Sequence, residues 1–336
     1  MARPLKAIVY GLGTTGRMTA AYLREKGVEV VAGYVRTIEG KDFSAPELAG
    51  VAICQPDVPF ERFEADILVS THCSTLADLR EPALKGAAAG LDVITIAEDA
   101  FDPFYFDAAT PVAHELDAAF RAHGVTLASV GVQDSFWFAQ PLSFLTAVQN
   151  LKKLTGVNVA DVSKFGTAVR HAKYLGLTAD EFVAQGHAAP TDRRGVFDTA
   201  LRPLIRALGF SIESLAVTNE PVLADVDQHV ARFDKHIPAG TVCGSMERAV
   251  FRLAGGVVIE GQFIKRFLPE GVTAWNEWVV EGTPSMNLRT DRFRGDVITC
   301  ASLVNRVRDV IDAAPGFLGV EQLNMARAWA ELPRRV

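Results

Sequence analysis

Three glycines stand at a spacing that can bind phosphate with backbone alone. The segment Gly11-Leu12-Gly13-Thr14-Thr15-Gly16 follows the G-x-G-x-x-G pattern. Gly11 permits a tight turn, Gly13 leaves room for a pyrophosphate to approach, and Gly16 lets a helix pack close to a sheet. The pattern alone is weak. Here it directly follows an apolar run and opens a helical stretch near the N-terminus, in a unit of about 30 residues, which makes it strong. The helix start would then offer unpaired N–H groups and a positive dipole end to a diphosphate. A second chemical cue lies one strand later. An acidic residue there would bind the ribose 2′-hydroxyl of NAD, but the chain reads Tyr34-Val35-Arg36-Thr37. Arg36 would pair with a 2′-phosphate and Thr37 would hydrogen-bond to it, so NADP is the expected cofactor, with NAD as a second option. A solvated surface arginine is the alternative for Arg36.

Carboxylates and histidines at strand ends come next. Glu98 follows the apolar run VITIA, where it would stand near a nicotinamide. Partial desolvation there would suit it to proton transfer, whereas an exposed helix-capping acid is the bland alternative. Asp99 is its neighbour and would point elsewhere. The loop Ser70-Thr71-His72 would also face the cofactor, with His72 either contacting it or hydrogen-bonded within its own loop. Asp134 would either orient a substrate amine or cap a helix starting near Trp137. Phe136, Trp137 and Phe138 would line an apolar substrate pocket or belong to the core. Neither His171 nor His187 has metal-ligand spacing. No G-x-S-x-G elbow is present.

These residues need a scaffold whose strand ends converge. Apolar runs at 5–10, 28–35, 66–71, 92–96 and 125–129 predict buried strands. Helices are expected at 14–26, ended by Gly27, and at 75–89 and 111–123. Strands alternating with helices imply a doubly wound parallel sheet covered on both faces. After residue 130 the rhythm changes. A helix is expected over 138–152, with further helices at 178–186 and 195–208. Strands are expected at 156–163, 212–224, 246–254, 256–265 and 272–281, with a hairpin at Gly255-Gly256. That is a second α+β domain with a mixed, mostly antiparallel sheet. The expected division is 1–130, 131–295, and a helical segment 296–336 that packs back on the first domain.

Composition excludes several classes. The chain has 336 residues, 49% of them hydrophobic, and a net charge of −6, so it lacks the basic footprint of a nucleic-acid binder. No stretch approaches the ~20 apolar residues of a membrane helix. Met1 to Lys6 shows none of the regions of a secretory signal, so the cytoplasm is expected. Cys54, Cys73, Cys243 and Cys300 are scattered, with no paired zinc-ligand spacing, so neither a metal nor a disulfide scaffold is expected.

Several segments together resemble a known family. They are VYGLGTTGRM at the N-terminus, DVITIAEDAF around Glu98, SKFGTAVRHAKYLGLTADEF, and GDVITCASLVNRVRDVIDAAPGF near the C-terminus. The chain resembles the dihydrodipicolinate-reductase-like group of amine-forming dehydrogenases, which includes 2,4-diaminopentanoate dehydrogenase and the native amine dehydrogenases. The resemblance runs over most of the chain. It implies a Rossmann domain, a second domain that supports a homodimer, use of NAD(P)H, and reductive amination of a carbonyl by ammonia or the reverse. It places the family's catalytic acid/base on Glu98, and puts Trp137, Phe165 and Thr299 at the substrate pocket. Two departures matter. A Gly-rich segment with Asn-Pro-Gly-Phe is replaced by VGVQDSFWF, and a Tyr-Gly pair by Phe165-Gly166. Both changes make the site more apolar and favour a small ketone or aldehyde over a charged diamino acid. A carbonyl or hydroxy-substrate dehydrogenase that ignores ammonia, and a non-catalytic NADPH-binding redox sensor, are the rival readings.

Overall fold

The computed structural model describes residues 3–105, 110–164, 171–188 and 196–332. Two compact units make up the chain, one formed by Met1–Ala139 with Asp296–Val336 and the other by Gln140–Gly295.

In the first unit, β1 (Lys6–Tyr10), α1 (Thr14–Glu25), β2 (Glu29–Tyr34), β3 (Ala52–Cys54), β4 (Ile67–Ser70), α2 (Leu76–Ala88), β5 (Asp92–Thr95), α3 (Thr110–His123) and β6 (Thr126–Ser129) follow in order. The last two elements of this unit come from the chain's end and are labelled in turn below. The strands carry almost continuous apolar runs because both faces are buried. Alternation then sorts them. Ala7 and Val9 of β1 join Ala20 and Leu23 of α1 on one face, while Ile8 joins Leu79 and Ala83 of α2 and Leu116 and Phe120 of α3 on the other.

The second unit contains α4 (Gln140–Leu145), β7 (Lys153–Asp161), α5 (Ala179–Ala184), α6 (Val196–Ala207), β8 (Ile212–Leu223), β9 (Gln228–Val230), β10 (Lys235–Ile237), β11 (Val242–Leu253), β12 (Val258–Arg266), β13 (Trp275–Glu281) and β14 (Met286–Asp291). Its six-stranded sheet has the order β14-β13-β7-β12-β11-β8. The β7–β12 pair is parallel and the others are antiparallel. Gly255 and Gly256, at φ of 86° and 81°, lie in the turn between β11 and β12, but Leu253 N donates to the Val257 carbonyl at 2.9 Å, so the loop has three residues rather than the two expected. Phe197 of α6 packs so closely on β12 that a Cβ on Gly261 would lie 2.5 Å from its ring.

The first unit is completed by α7 (Gly295–Ile311) and β15 (Gly316–Leu318). Leu303, Val304, Val307 and Val310 of α7 fill the same core as α1. The finished parallel sheet has the order β15-β6-β5-β4-β1-β2-β3. Read from the other edge this is the 3-2-1-4-5-6 order of a Rossmann sheet with one strand added. The fold class is as the sequence implied, a doubly wound parallel sheet plus a mixed-sheet second unit. No helix among the described residues is long and apolar enough to cross a membrane.

One helix expectation is overturned. No single helix spans 138–152. Residues Gln133–Ala139 form a π-helix, α4 lasts six residues, and the chain then turns into β7. The backbone N–H groups of Gln149 and Lys152 donate to the carbonyls of Thr283 and Glu281 at 2.8 Å each. Pairing along the β13 flank thus takes donors that a longer helix would have used. The three-residue strands β3, β9, β10 and β15 were not expected, since alternation cannot be read over so few residues.

Candidate active site

All pairings of the first sheet are parallel, so every strand directs its carboxyl end to the same edge. The loops after β1, β4, β5 and β6 meet there, and strand order reverses between β1 and β4. That switch point is where open α/β sheets bind ligands.

The glycine turn has a distinct steric reason at each position. Gly11 adopts φ 103°, and a Cβ on it would lie 2.7 Å from the Cβ of His72. A Cβ on Gly16 would lie 1.7 Å from the Gly11 carbonyl oxygen, so only glycine lets α1 start this close to β1. A Cβ on Gly13 would meet nothing within 4 Å, and Gly13 and Thr14 are exposed. Thr15 is half-buried, and Leu12 is turned inward over Gly33, where a Cβ would lie 2.6 Å from its Cδ1. Gly13 is the N-cap of α1 and supplies no side-chain cap, and the first turn of α1 carries no acid. An open cradle, an uncapped helix start and no competing carboxylate fit a dinucleotide diphosphate. The adjacent loop supports the turn, because Thr71 Oγ1 donates to the Gly11 carbonyl at 2.8 Å. His72 is pinned at both ring nitrogens. Nε2 donates to the Asp78 carbonyl at 3.3 Å, leaving Nδ1 to accept from Ser70 Oγ at 3.0 Å. Its ring lies against Tyr10, and partial desolvation holds its pKa below the usual imidazole value. Arg36 and Thr37 are exposed just past β2, and the Arg36 carbonyl accepts from Gln55 Nε2 at 3.2 Å.

Glu98 opens a 3₁₀ turn, Glu98–Ala100, after β5. The turn is latched from both sides. Ser129 Oγ donates to the Ala97 carbonyl at 2.8 Å, and Asp99 N donates to the Ser74 carbonyl at 3.1 Å. The Asp99 carboxylate accepts from Leu76 N at the start of α2, which separates the tasks of the two neighbouring acids. Glu98 is exposed, in contrast to the partial desolvation expected for it.

The loop after β6 leads into the π-helix. Asp134 does not cap a helix near Trp137. It is buried (1% exposed), and its Oδ2 accepts from Arg306 Nε at 2.7 Å. Burial pushes the Asp134 pKa up to about 6, against the opposing pull of Arg306. Phe136 is half-buried, while Trp137 and Phe138 are buried. Thr299, on α7, faces this segment, its Cγ2 lying 3.3 Å from where a Cβ on Gly131 would be. Phe165 lies outside the described residues. Sequence reasoning missed Gly33, although a glycine inside a strand is a signal of close approach. It also missed Arg306, whose partner is 172 residues away and which no local pattern marks.

A Rossmann sheet with an open glycine turn, joined in one chain to a mixed-sheet unit, is the architecture of a class of dehydrogenases, and the solved structures agree. An amine dehydrogenase from Mycobacterium smegmatis is 26% identical, with a TM-score of 0.83 over 98% of this chain and 99% of that one. A probable dehydrogenase from Thermotoga maritima shares the fold at 13% identity, with a TM-score of 0.59 over 95% of this chain and 92% of that one. A scyllo-inositol dehydrogenase from Lactobacillus casei, solved with bound cofactor NAD(H) and scyllo-inositol, shares the fold at 14% identity, with a TM-score of 0.51 over 86% of this chain and 76% of that one. The chain is an oxidoreductase of this dehydrogenase class. It belongs to the family defined by the 2,4-diaminopentanoate dehydrogenase C-terminal domain, whose profile matches residues 142–336. A curated relative, the glutamyl-tRNA reductase of Stutzerimonas stutzeri (strain A1501), is 34% identical over 82 residues, 24% of this chain, and the match spans 19% of that protein's length.

Proposed function

We propose that this protein is an NAD(P)H-dependent amine dehydrogenase that joins a small ketone or aldehyde to ammonia, or runs the reverse deamination. The observation that carries this reading is the likeness to an amine dehydrogenase across both units. In the aminating direction, carbonyl, ammonia, NAD(P)H and a proton give amine, water and NAD(P)⁺. The bound dinucleotide supplies the hydride. The chain's own groups do the rest. The glycine turn and the start of α1 hold the diphosphate. Arg36 and Thr37 favour a 2′-phosphate and hence NADP, with NAD as the second cofactor. Ser70, Thr71 and His72 shape the wall of the turn. Glu98 takes a proton from ammonium or from the carbinolamine, returns it to the carbinolamine hydroxyl so that it leaves as water, and, an anion again, favours the iminium cation over the neutral imine. Phe136 and Trp137, with Thr299, would give the substrate an apolar lining that excludes water and limits imine hydrolysis; Phe165 is assigned to the substrate by the family resemblance alone. A homodimer in the cytoplasm is the proposed working form. The four free cysteines suit a reducing compartment, and the dimer rests on the family resemblance.

The test is NADPH consumption with a panel of small ketones and aldehydes, with and without ammonium, at pH ~9, where more free ammonia is available. Consumption should depend on ammonium. Glu98→Gln should lower amination by roughly 100-fold or more while leaving dinucleotide affinity unchanged. Full amination by Glu98→Gln would remove Glu98 from this role. Consumption that ignores ammonium would point to a carbonyl reductase, and binding without turnover to a redox sensor.

A further inference from the structure

The π-helix is fastened to α7 along one stripe. Thr299, Ser302 and Arg306 recur at intervals of three and four residues and therefore share a helix face. Thr299 meets Gly131, and Ser302 Oγ donates to Ser135 Oγ at 2.7 Å. Arg306 reaches Asp134 with Nε at 2.7 Å and Nη2 at 3.5 Å. The guanidinium is 2% exposed and is held from behind, Nη1 donating to Asp309 Oδ2 at 2.8 Å and to the Asn324 carbonyl. Each arm of its fork thus has an assigned partner, and one side of it grips the π-helix. Extra-residue helices of this kind are tolerated where outside contacts hold them and recur at functional sites. Phe136 and Trp137 follow Asp134 within one turn of the same element.

We propose that Arg306 is a positioning residue: through Asp134 it locks the π-helix in register and so fixes where Phe136 and Trp137 stand. Arg306 touches no reacting atom in this scheme. Its consequence for substrate rests on the amine dehydrogenase reading, whereas the lock itself does not.

Arg306→Lys tests it, since lysine keeps the charge but loses the fork that serves Asp134, Asp309 and Asn324 together. Trp137 emission is isolated by subtracting the spectrum of the same protein carrying Trp137→Phe. The lock predicts a red-shifted Trp137 signal and an acrylamide quenching constant raised at least about twofold. It also predicts a carbonyl KM raised about tenfold with the NADPH Kd unchanged within about twofold. Should Arg306→Lys not fold, Ser302→Ala removes only the neighbouring fastening and should shift Trp137 in the same direction by less. An unchanged Trp137 signal, or a KM and NADPH Kd that rise together, overturns the proposal. If the unsubstituted protein aminates no carbonyl, the proposed reaction fails, and Trp137 still decides the lock.

Discussion

The glycine turn and the π-helix lie in the same unit and solve the same problem by opposite means. The turn places the backbone with sterics alone. Its shape follows from missing Cβ atoms at Gly11 and Gly16, supported by one hydroxyl from Thr71. The π-helix is placed by side-chain charge, with a buried guanidinium between Asp134 and Asp309. A steric turn is rigid: Gly11 N donates to the Tyr34 carbonyl at 2.9 Å, and the start of α1 carries no side-chain cap. A buried ion pair adds little net stability, because desolvation offsets the attraction, but it selects one register out of several. Under the proposed function, rigidity serves the cofactor and register serves the aromatic residues.

Substitutions can break this contrast. The largest effect should come from Gly16→Ala. Its Cβ would fall 1.7 Å from the Gly11 carbonyl oxygen, so α1 must move. A loss of about 3 kcal/mol in a denaturant melt is expected, with dinucleotide binding lost as well. Gly13→Val should separate the two properties. Its side chain enters open space, so stability should fall by only about 1 kcal/mol, the cost of a poorer N-cap residue. Dinucleotide affinity, measured by titration, should fall tenfold or more, about 1.4 kcal/mol. If both variants lost stability equally, the three-glycine division of labour would be wrong. Arg36→Ala should be milder, weakening NADPH about tenfold while sparing NADH. Equal losses for the two cofactors would remove Arg36 from the 2′-phosphate.

The smallest effect is in pH. Buried carboxylates of the two units shift oppositely. Burial pushes Glu260 up, but hydrogen bonds from Arg248, Gln262 and Lys153 outweigh it and hold its pKa near about 2. Its stabilisation is present above the ordinary value of 4.5 and is lost as pH falls towards about 2. The melting difference between the protein and Glu260→Gln should therefore shrink over that range. Asp134, raised to about 6, contributes stability that is full below 3.8 and lost as pH rises through about 6. Asp134→Asn should gain on the parent over that window. A flat difference in either case would show that the pair is not titrating as its surroundings require.

What could be read in advance depended on the range of the contacts. The strands of the first unit were legible because a doubly buried strand shows as an unbroken apolar run, and α1 ended at Gly27 as expected. The expected helix over 138–152 failed for the opposite reason. Asp134 and Ser135 are held by α7, and Gln149 and Lys152 by residues beside β13, so partners more than a hundred residues away set the local shape. The position of Glu98 at a strand end was readable from VITIA, and so was the divergence of its neighbour Asp99, but the partner of Asp99, Leu76 N at the start of α2, was not.

Sequence by itself determined the parallel sheet, the glycine turn and the acids at its edge, since glycine spacing and apolar runs act through the nearest few residues. Only the tertiary structure decided that Asp134 is paired with Arg306, that His72 is pinned at both nitrogens, and that a π-helix carries the aromatic residues. Those features arise where charged and polar groups from distant segments are buried together, and a buried polar group takes whichever partner the packing brings within reach.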